Sequence, residues 1–183
     1  MKPNIIQKTF ASEEDYFLFE EKCELRNELV NGNLIAMSGV STQHNDLTFE
    51  ICLLLKKLLK GTDYRVFIKA VKVKNLAGNF FYPDVMVCHP NPKKYFSEQP
   101  ILLVEVLSES TRTYDLTDKF IQYKQIPTLY YYLCVEPEQQ VVIFYFKDAD
   151  DEWLTETYSK DGDVVNLPQL NTSFTLSAIY KPE

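Results

Sequence analysis

A glutamate lies inside an otherwise apolar segment of this chain, where a charge is costly. Glu105 is the one charged residue between Ile101 and Leu107, and such a run is typical of a strand buried on both faces. Asp84 begins a second apolar segment 21 residues earlier. A buried carboxylate needs a cation, a hydrogen-bond donor or a metal ion. The two acids therefore indicate a metal site rather than a surface feature.

A lysine on the following segment could complete this site. Leu116, Phe120 and Tyr123 follow helical spacing and predict the inward face of a helix. Lys119 projects within about 60° of the centre of that face, because each residue turns an α-helix by ~100°. Asp115 lies one turn earlier and could pair with Lys119.

Two carboxylates and an ammonium form a set with recognisable chemistry. Carboxylate oxygens suit a hard cation such as Mg²⁺, which lowers the pKa of a bound water and withdraws charge from a phosphoryl oxygen. A lysine adds positive charge near the transition state. Structural interpretations stay open: Asp84 could bond nearby backbone donors, and Glu105 could pair with Lys119 without a catalytic role. The order and spacing of the three residues favour a site.

Local signals predict the elements that would position these residues. Ser12 and the acids after it predict a helix start, and Asn31-Gly32 predicts a hairpin turn. Helices are predicted at about 12–23, 41–60 and 113–125, and strands at about 25–30, 33–37, 64–74, 81–88, 100–107, 129–135, 140–147 and 152–158. This order predicts an α/β (α+β) fold in which a mixed sheet with an antiparallel part is flanked by helices.

The composition narrows the class of protein. A length of 183 residues predicts a single domain over 1–183, with a core at about 12–147 and a C-terminal strand extension at about 148–183. No apolar stretch reaches the ~18 residues that span a bilayer, and residues 1–10 lack a signal-peptide pattern. The four cysteines lie far apart, which favours reduced thiols and a cytoplasmic protein.

The charge distribution allows two interpretations of the basic residues. The net charge of −7 does not by itself favour nucleic acid as a partner. Residues 56–74, however, contain seven lysines and arginines against Asp63 alone. This stretch is either a solvated face or a surface that contacts DNA phosphates.

A set of short motifs resembles the Uma-type restriction endonucleases, which belong to the PD-(D/E)XK nuclease superfamily. The motifs are Glu28-Leu29-Val30-Asn31-Gly32, Pro83-Asp84, Val104-Glu105-Val106-Leu107-Ser108, Ser110-Thr111, Tyr114-Asp115, Lys119, Tyr123 and Ile126-Pro127. The resemblance runs from about residue 12 to residue 137. It implies a restriction-endonuclease-like core, a divalent metal and hydrolysis of DNA phosphodiesters, with Mg²⁺ as the cofactor and Mn²⁺ as its substitute.

The resemblance also implies roles for individual residues. Asp84 and Glu105 would be metal ligands, with the backbone carbonyl of Val106 as a third ligand. Glu28 would support the metal directly or through water. The lysine that usually follows the second acid by two residues is replaced here by Leu107, and Lys119 would take its place.

Several alternatives remain at this point. His44, at the start of a predicted helix, is either a capping or packing residue or a supporting neighbour of the site, and Asp115 would orient Lys119. A non-catalytic binding or scaffold protein that keeps the nuclease fold is the main alternative, and a hydrolase of small phosphate esters is a weaker one. A homodimer would supply the two sites that double-strand cleavage needs.

Overall fold

The computed structural model describes residues 5–37 and 39–181. The strands are β1 (Ile5–Gln7), β2 (Asn27–Val30), β3 (Asn33–Ala36), β4 (Arg65–Ile68), β5 (Lys72–Lys74), β6 (Phe80–Phe81), β7 (Val85–Cys88), β8 (Phe96–Ser97), β9 (Pro100–Val106), β10 (Tyr131–Val135), β11 (Val142–Lys147), β12 (Trp153–Tyr158), β13 (Val164–Leu167) and β14 (Thr172–Thr175). The helices are α1 (Glu13–Glu20), α2 (Thr42–Leu58), α3 (consecutive segments Arg112–Tyr114, Asp115–Lys119 and Phe120–Tyr123) and α4 (Ser177–Tyr180), with a 3₁₀ turn at Pro168–Leu170.

Two six-stranded mixed sheets form the framework. The central sheet has the order β12-β11-β10-β9-β7-β4, and the amino-terminal sheet has the order β1-β3-β2-β6-β5-β8. In the central sheet β9 and β10 are parallel, and α3 is the crossover between them, whereas the other pairs are antiparallel. The fold is therefore the mixed α/β architecture that the sequence predicts.

The central sheet is covered on both faces, as the apolar run around Glu105 predicts. Every residue of β9 is buried. One face packs against α2 and the β13-β14 ribbon, through side chains such as Ile51, Leu55 and Phe174. The other face packs against α3 and the amino-terminal sheet, through side chains that include Tyr123 and Phe81.

Several local predictions are confirmed. The Ser12 side chain accepts a hydrogen bond from the Asp15 amide at 3.1 Å and caps α1. The Ser41 side chain caps α2 in the same way. Asn31 and Gly32 both have positive φ, at 51° and 74°, as the tight turn between β2 and β3 requires.

Two predicted strands are wrong as continuous elements, because each is divided between the two sheets. The segment 64–74 forms β4 in the central sheet and β5 in the amino-terminal sheet, with a break at Lys69, whose φ is 50°. The segment 81–88 is divided in the same way, with Pro83 and Asp84 in the gap before β7. Each point where one of these segments passes from one sheet to the other is called a crossing below. The Lys69 amide donates to the Asp84 carbonyl at 3.0 Å, so the two crossings lie side by side.

The third predicted helix differs from an ordinary α-helix. Its Asp115–Lys119 segment is a π-helix, in which the backbone makes a wider turn. The structure also contains β1, β8 and the elements after residue 163, which local sequence signals do not predict clearly. No helix in the described part of the chain is long and apolar enough to cross a membrane.

Candidate active site

Asp84 and Glu105 face each other at one end of the central sheet. The antiparallel register pairs Val85 with Val104, which sets Asp84 opposite Glu105. Opposite residues of antiparallel strands project from the same face. The Val106 amide donates to Asp84 Oδ2 at 2.8 Å and fixes this carboxylate across the end of β9.

Two basic side chains lie on the other side of Asp84. His44 Nε2 is 3.2 Å from Asp84 Oδ2, and Lys69 Nζ is 3.8 Å from Asp84 Oδ1. His44 reaches this position because the Ser41 cap begins α2 directly above the site, and the hydroxyl of Thr48 lies 3.3 Å from its Nδ1. His44 is therefore a neighbour of the site as well as a first-turn residue of α2.

Lys119 lies at the centre of three carboxylates. Its Nζ is 2.8 Å from Glu105 Oε1, 2.9 Å from Glu28 Oε1 and 3.7 Å from Asp115 Oδ1. The side chain is only 3% exposed. The Tyr123 hydroxyl donates to Glu105 Oε1 at 2.9 Å, so both contacts use the same carboxylate oxygen.

Neighbouring elements hold this cluster in place. Glu28 lies on β2 and accepts the backbone amide of Tyr82 at 2.9 Å, which links the amino-terminal sheet to the crossing before β7. The Tyr132 hydroxyl of β10 donates to the carbonyl of Asp115 at 3.1 Å and anchors the π-helical segment. Asp115 and Lys119 both lie inside this segment and both face inward.

The electrostatics of the cluster show an excess of buried negative charge. Burial raises the pKa of Glu105 well above its ordinary value; Lys119 opposes this, and the neighbouring acids add to it. Burial likewise raises the pKa of Asp115 to about 6. Burial alone would lower the pKa of Lys119, but Glu105 and Glu28 outweigh it and raise that pKa well above its ordinary value. Lys119 therefore stays protonated.

A small cavity adjoins these side chains. It has a volume of about 80 Å³, which suits a few water molecules. The buried hydroxyl of Tyr114 also belongs to its wall and, within the described residues, is the one buried side-chain polar atom without a hydrogen-bond partner. The lining residues are Glu28, Ile35, Ala36, Met37, Val40, His44, Asp84, Glu105, Val106, Ser108, Thr111, Tyr114, Asp115 and Lys119.

The donor set fits a hard divalent cation by its chemistry and its charge. Three carboxylates surround one ammonium, and a fourth carboxylate, from Asp84, lines the same cavity. Across residues 5–37 and 39–181, no three His, Cys, Asp or Glu side chains form a closed ligand cluster. Magnesium commonly binds one or two carboxylates and keeps several waters, so it does not require such a cluster.

All six side chains that the sequence singled out line one cavity. These are Glu28, His44, Asp84, Glu105, Asp115 and Lys119, and the Val106 backbone lies beside them. Sequence reasoning missed the contact of Lys69 with Asp84, because the break that turns this lysine toward the site has no local signal. It also missed the unpartnered hydroxyl of Tyr114.

The basic stretch 56–74 does not form one surface. Lys72 is buried, at 5% exposure, and Lys74 pairs with Glu13 and Glu98 at 2.6 and 3.1 Å. The division of the stretch between two sheets separates the remaining residues. Contact of this stretch with DNA phosphates stays a prediction, and Lys69 is the member of the stretch that reaches the cavity region.

The fold and the buried carboxylate–lysine cluster define a restriction-endonuclease-like protein. A solved structure from Anabaena variabilis ATCC 29413, described as a putative nuclease belonging to DUF820, has the same fold, with a TM-score of 0.74. The match covers 91% of this chain and 96% of that chain, at 17% sequence identity.

The chain belongs to the Uma2 family, described as "Putative restriction endonuclease", whose family model matches residues 13–178. Two proteins of Synechocystis sp. are similar along most of their length. Uncharacterized protein slr1290 is 33% identical over 174 residues, covering 93% of this chain and 91% of the relative. Uncharacterized protein sll1609 is 32% identical over 157 residues, covering 82% and 89%.

Proposed function

We propose that this protein is a metal-dependent nuclease that hydrolyses phosphodiester bonds of DNA. The observation that carries the proposal is the protonated Lys119 held between Glu105 and Glu28, beside a cavity that Asp84 also lines. The buried carboxylates outnumber their one cation, the ammonium of Lys119, which is held in a fixed position. This arrangement suits a reaction in which negative charge develops on the oxygens of a phosphate group. Membership of the Uma2 family supports the same class of reaction.

The residues take distinct roles in this proposal. Asp84 and Glu105 would hold a divalent cation, Mg²⁺ or Mn²⁺, with the carbonyl of Val106 and with Glu28 directly or through water. Such an ion, when bound, lowers the pKa of a coordinated water and neutralises charge on a phosphoryl oxygen.

The surrounding side chains orient these groups. His44 and the Val106 amide hold the Asp84 carboxylate. Asp115 and Tyr123 orient Lys119 and Glu105, respectively. Lys119 presents a permanent positive charge toward the scissile phosphate and the attacking water, in a site from which most water is excluded.

The test is cleavage of supercoiled plasmid and of single-stranded DNA with Mg²⁺ or Mn²⁺. We expect the wild-type protein to cut and Glu105→Gln to lose cleavage by at least about 10²-fold, because the change removes a ligand charge and leaves its size unchanged. Glu109→Gln is the matched control, since this exposed acid lies four residues later and outside the cavity. Equal cleavage by Glu105→Gln and wild type would refute the assignment.

A second candidate function is DNA binding without catalysis. It is favoured by the contacts of Glu28 and Glu105, which each already give one oxygen to Lys119 at 2.9 and 2.8 Å. Calorimetric titration with Mn²⁺ separates the two candidates. Binding to wild type that Asp84→Asn weakens supports the nuclease, whereas DNA binding without any Mn²⁺ binding supports the alternative.

The interface with DNA and the assembly state complete the proposal. DNA would approach the cavity mouth from the side of Lys69, the member of the 56–74 stretch that lies beside Asp84. A homodimer would bring two cavities to opposite strands of a duplex. Sedimentation of the protein with and without a short duplex, compared with the ratio of linear to nicked plasmid, tests that arrangement.

A further inference from the structure

A second buried lysine lies in a cleft apart from the nuclease cavity. Lys72, on β5, is 5% exposed. Its Nζ lies 4.6 Å from the ring centre of Tyr82, 5.2 Å from that of Phe17 and 5.4 Å from that of Tyr16. Three aromatic rings therefore flank the amine, and the lysine also lines the cleft.

Lys72 differs from the other buried lysines in having no carboxylate partner. Lys119 has acid oxygens at 2.8 and 2.9 Å, and Lys147 has one, from Asp151, at 2.9 Å. Among the residues that the structure describes, Lys72 takes part in no ion pair and donates no side-chain hydrogen bond. Nearby acids have other partners instead: the Tyr82 hydroxyl donates to Glu20 at 3.0 Å.

The cleft beside Lys72 is large enough for a small molecule. Its volume is about 330 Å³, within the range of about 300–1,000 Å³ that is common for ligand sites. Rings line its inner wall and three acids, Glu20, Glu21 and Glu24, lie along it with Arg26. A neutral, partly apolar compound suits this cleft, whereas the acids disfavour an anionic one.

We propose that the Lys72 amine is a covalent capture site for small neutral aldehydes. A lysine packed among apolar groups and free of ion pairs is the environment that turns an amine into a nucleophile. The Nζ lone pair attacks the carbonyl carbon and forms a C–N bond. The nitrogen gives up its two protons, the carbonyl oxygen leaves as water, and the product is an imine, with no oxidation or reduction.

Burial and the neighbouring acids act against each other on the pKa of the amine, and burial has the larger effect. Burial lowers the pKa of Lys72, Glu20 opposes that shift, and Arg26 adds to it. The titratable and charged groups that line the cleft or pack around the amine are Tyr16, Glu20, Glu21, Cys23, Glu24, Arg26, Tyr82 and Tyr95. None of these residues belongs to the nuclease cavity, so the proposal stands independently of the proposed function.

Imine trapping tests the proposal on the full chain. The folded protein is incubated at pH 7 with benzaldehyde and cyanoborohydride, which reduces an imine to a stable secondary amine, and peptide mass spectrometry measures the labelling of each lysine. We expect Lys72 to react faster than exposed Lys56, because burial lowers the pKa of Lys72 and so leaves more of its amine unprotonated. Labelling of Lys72 at or below the rate of Lys56 would overturn the proposal.

Three further experiments make the result specific. In urea the preference for Lys72 must disappear, because it depends on the folded cleft; a preference that persists contradicts the structural cause. With glyoxylate, an anionic aldehyde, the Lys72-to-Lys56 ratio must fall severalfold, and an unchanged ratio contradicts the neutral-ligand assignment. Lys72→Arg must lose the fast-labelled site and keep the labelling of Lys56.

Discussion

Lys119 and Lys72 are two almost fully buried lysines with opposite surroundings. Lys119 lies among three carboxylates, and its pKa is raised well above the ordinary value although burial acts against it. Lys72 lies among three aromatic rings, and burial lowers its pKa. The depth of burial is nearly the same, at 3% and 5% exposure, so the neighbours decide the outcome.

Because of this difference, Lys119 keeps its positive charge, whereas Lys72 loses its proton more readily. The carboxylates keep Lys119 charged, and the lysine in turn limits the repulsion among Glu28, Glu105 and Asp115. Ring faces attract a cation only moderately, so Lys72 lacks the strong partner that a permanent charge requires. The first environment suits charge stabilisation at a phosphate, and the second suits a nucleophilic amine.

The largest effect on stability and cleavage is expected from replacing Lys119. Lys119→Met leaves Glu105 and Glu28 buried without their cation, so the free energy of unfolding should fall by about 3–5 kcal/mol and cleavage should be lost. Urea denaturation and the plasmid assay measure the two effects. Lys147→Met is the matched control, because its partner Asp151 is exposed and loses little.

A double variant separates folding from catalysis at this site. Lys119→Met with Glu105→Gln leaves one buried acid, Glu28, without its cation instead of two, so it should recover part of the lost stability while cleavage stays absent. Wild-type stability of the single variant Lys119→Met would contradict the comparison, since the carboxylates would then not depend on the lysine.

A pH effect of intermediate size is expected from Asp115. Its pKa is about 6 in the folded protein against 3.8 for the ordinary group, so the folded state binds this proton more strongly. The stability contribution is therefore present below pH ~4 and is lost as the pH rises to about 6. With chelator present, the stability of wild type relative to Asp115→Asn should fall by on the order of 2–3 kcal/mol across that window. A difference independent of pH would contradict the raised pKa.

A smaller contrast is expected between two tyrosines of the same cavity region. Tyr123→Phe removes the hydroxyl that donates to Glu105 and should cost about 1–2 kcal/mol of unfolding free energy. Tyr114→Phe removes a hydroxyl that has no hydrogen-bond partner among the described residues, so the free energy of unfolding should stay the same or rise by about 1 kcal/mol. Thermal denaturation of both variants in chelator compares them, and equal losses would mean that Tyr114 has a partner in solution.

The smallest effect on stability is expected from replacing Lys72. Lys72→Met exchanges an amine for a thioether, which packs well against aromatic rings, so the free energy of unfolding should change by less than about 1 kcal/mol. Urea denaturation at pH 7 gives the value. A loss as large as that of Lys119→Met would show that Lys72 depends on Glu20 and Glu21 in the way that Lys119 depends on its acids.

The sequence predicted the elements whose signals are local. The Asn31-Gly32 turn, the serine caps of α1 and α2, and the apolar β9 all follow from side chains within a few residues of one another. It also predicted which acids would converge, because a carboxylate in a doubly buried strand is anomalous wherever that strand lies. Glu105 and Asp84 were identified on that ground.

The sequence could not predict features set by distant contacts. The segments 64–74 and 81–88 each look like one strand, since their apolar residues continue past the point where the chain changes sheet. The segment 81–88 changes sheet by pairing first with β2 and then with β9, and the segment 64–74 follows it by pairing with β7 and then with β6. The role of Lys69 was missed for the same reason, since only the crossing brings it to Asp84.

The wide turn at Asp115–Lys119 gives this part of the chain tolerance for a change of one residue in length. A π-helical turn holds one residue more than an α-helical turn over a similar path. Deleting one of the exposed residues Thr117 or Asp118 would therefore let an ordinary helix form over that path. Asp115 and Lys119 would then be three positions apart, and residues three apart are still neighbours on an α-helix. A length change of one residue at this turn would thus leave the two side chains on one face of the helix.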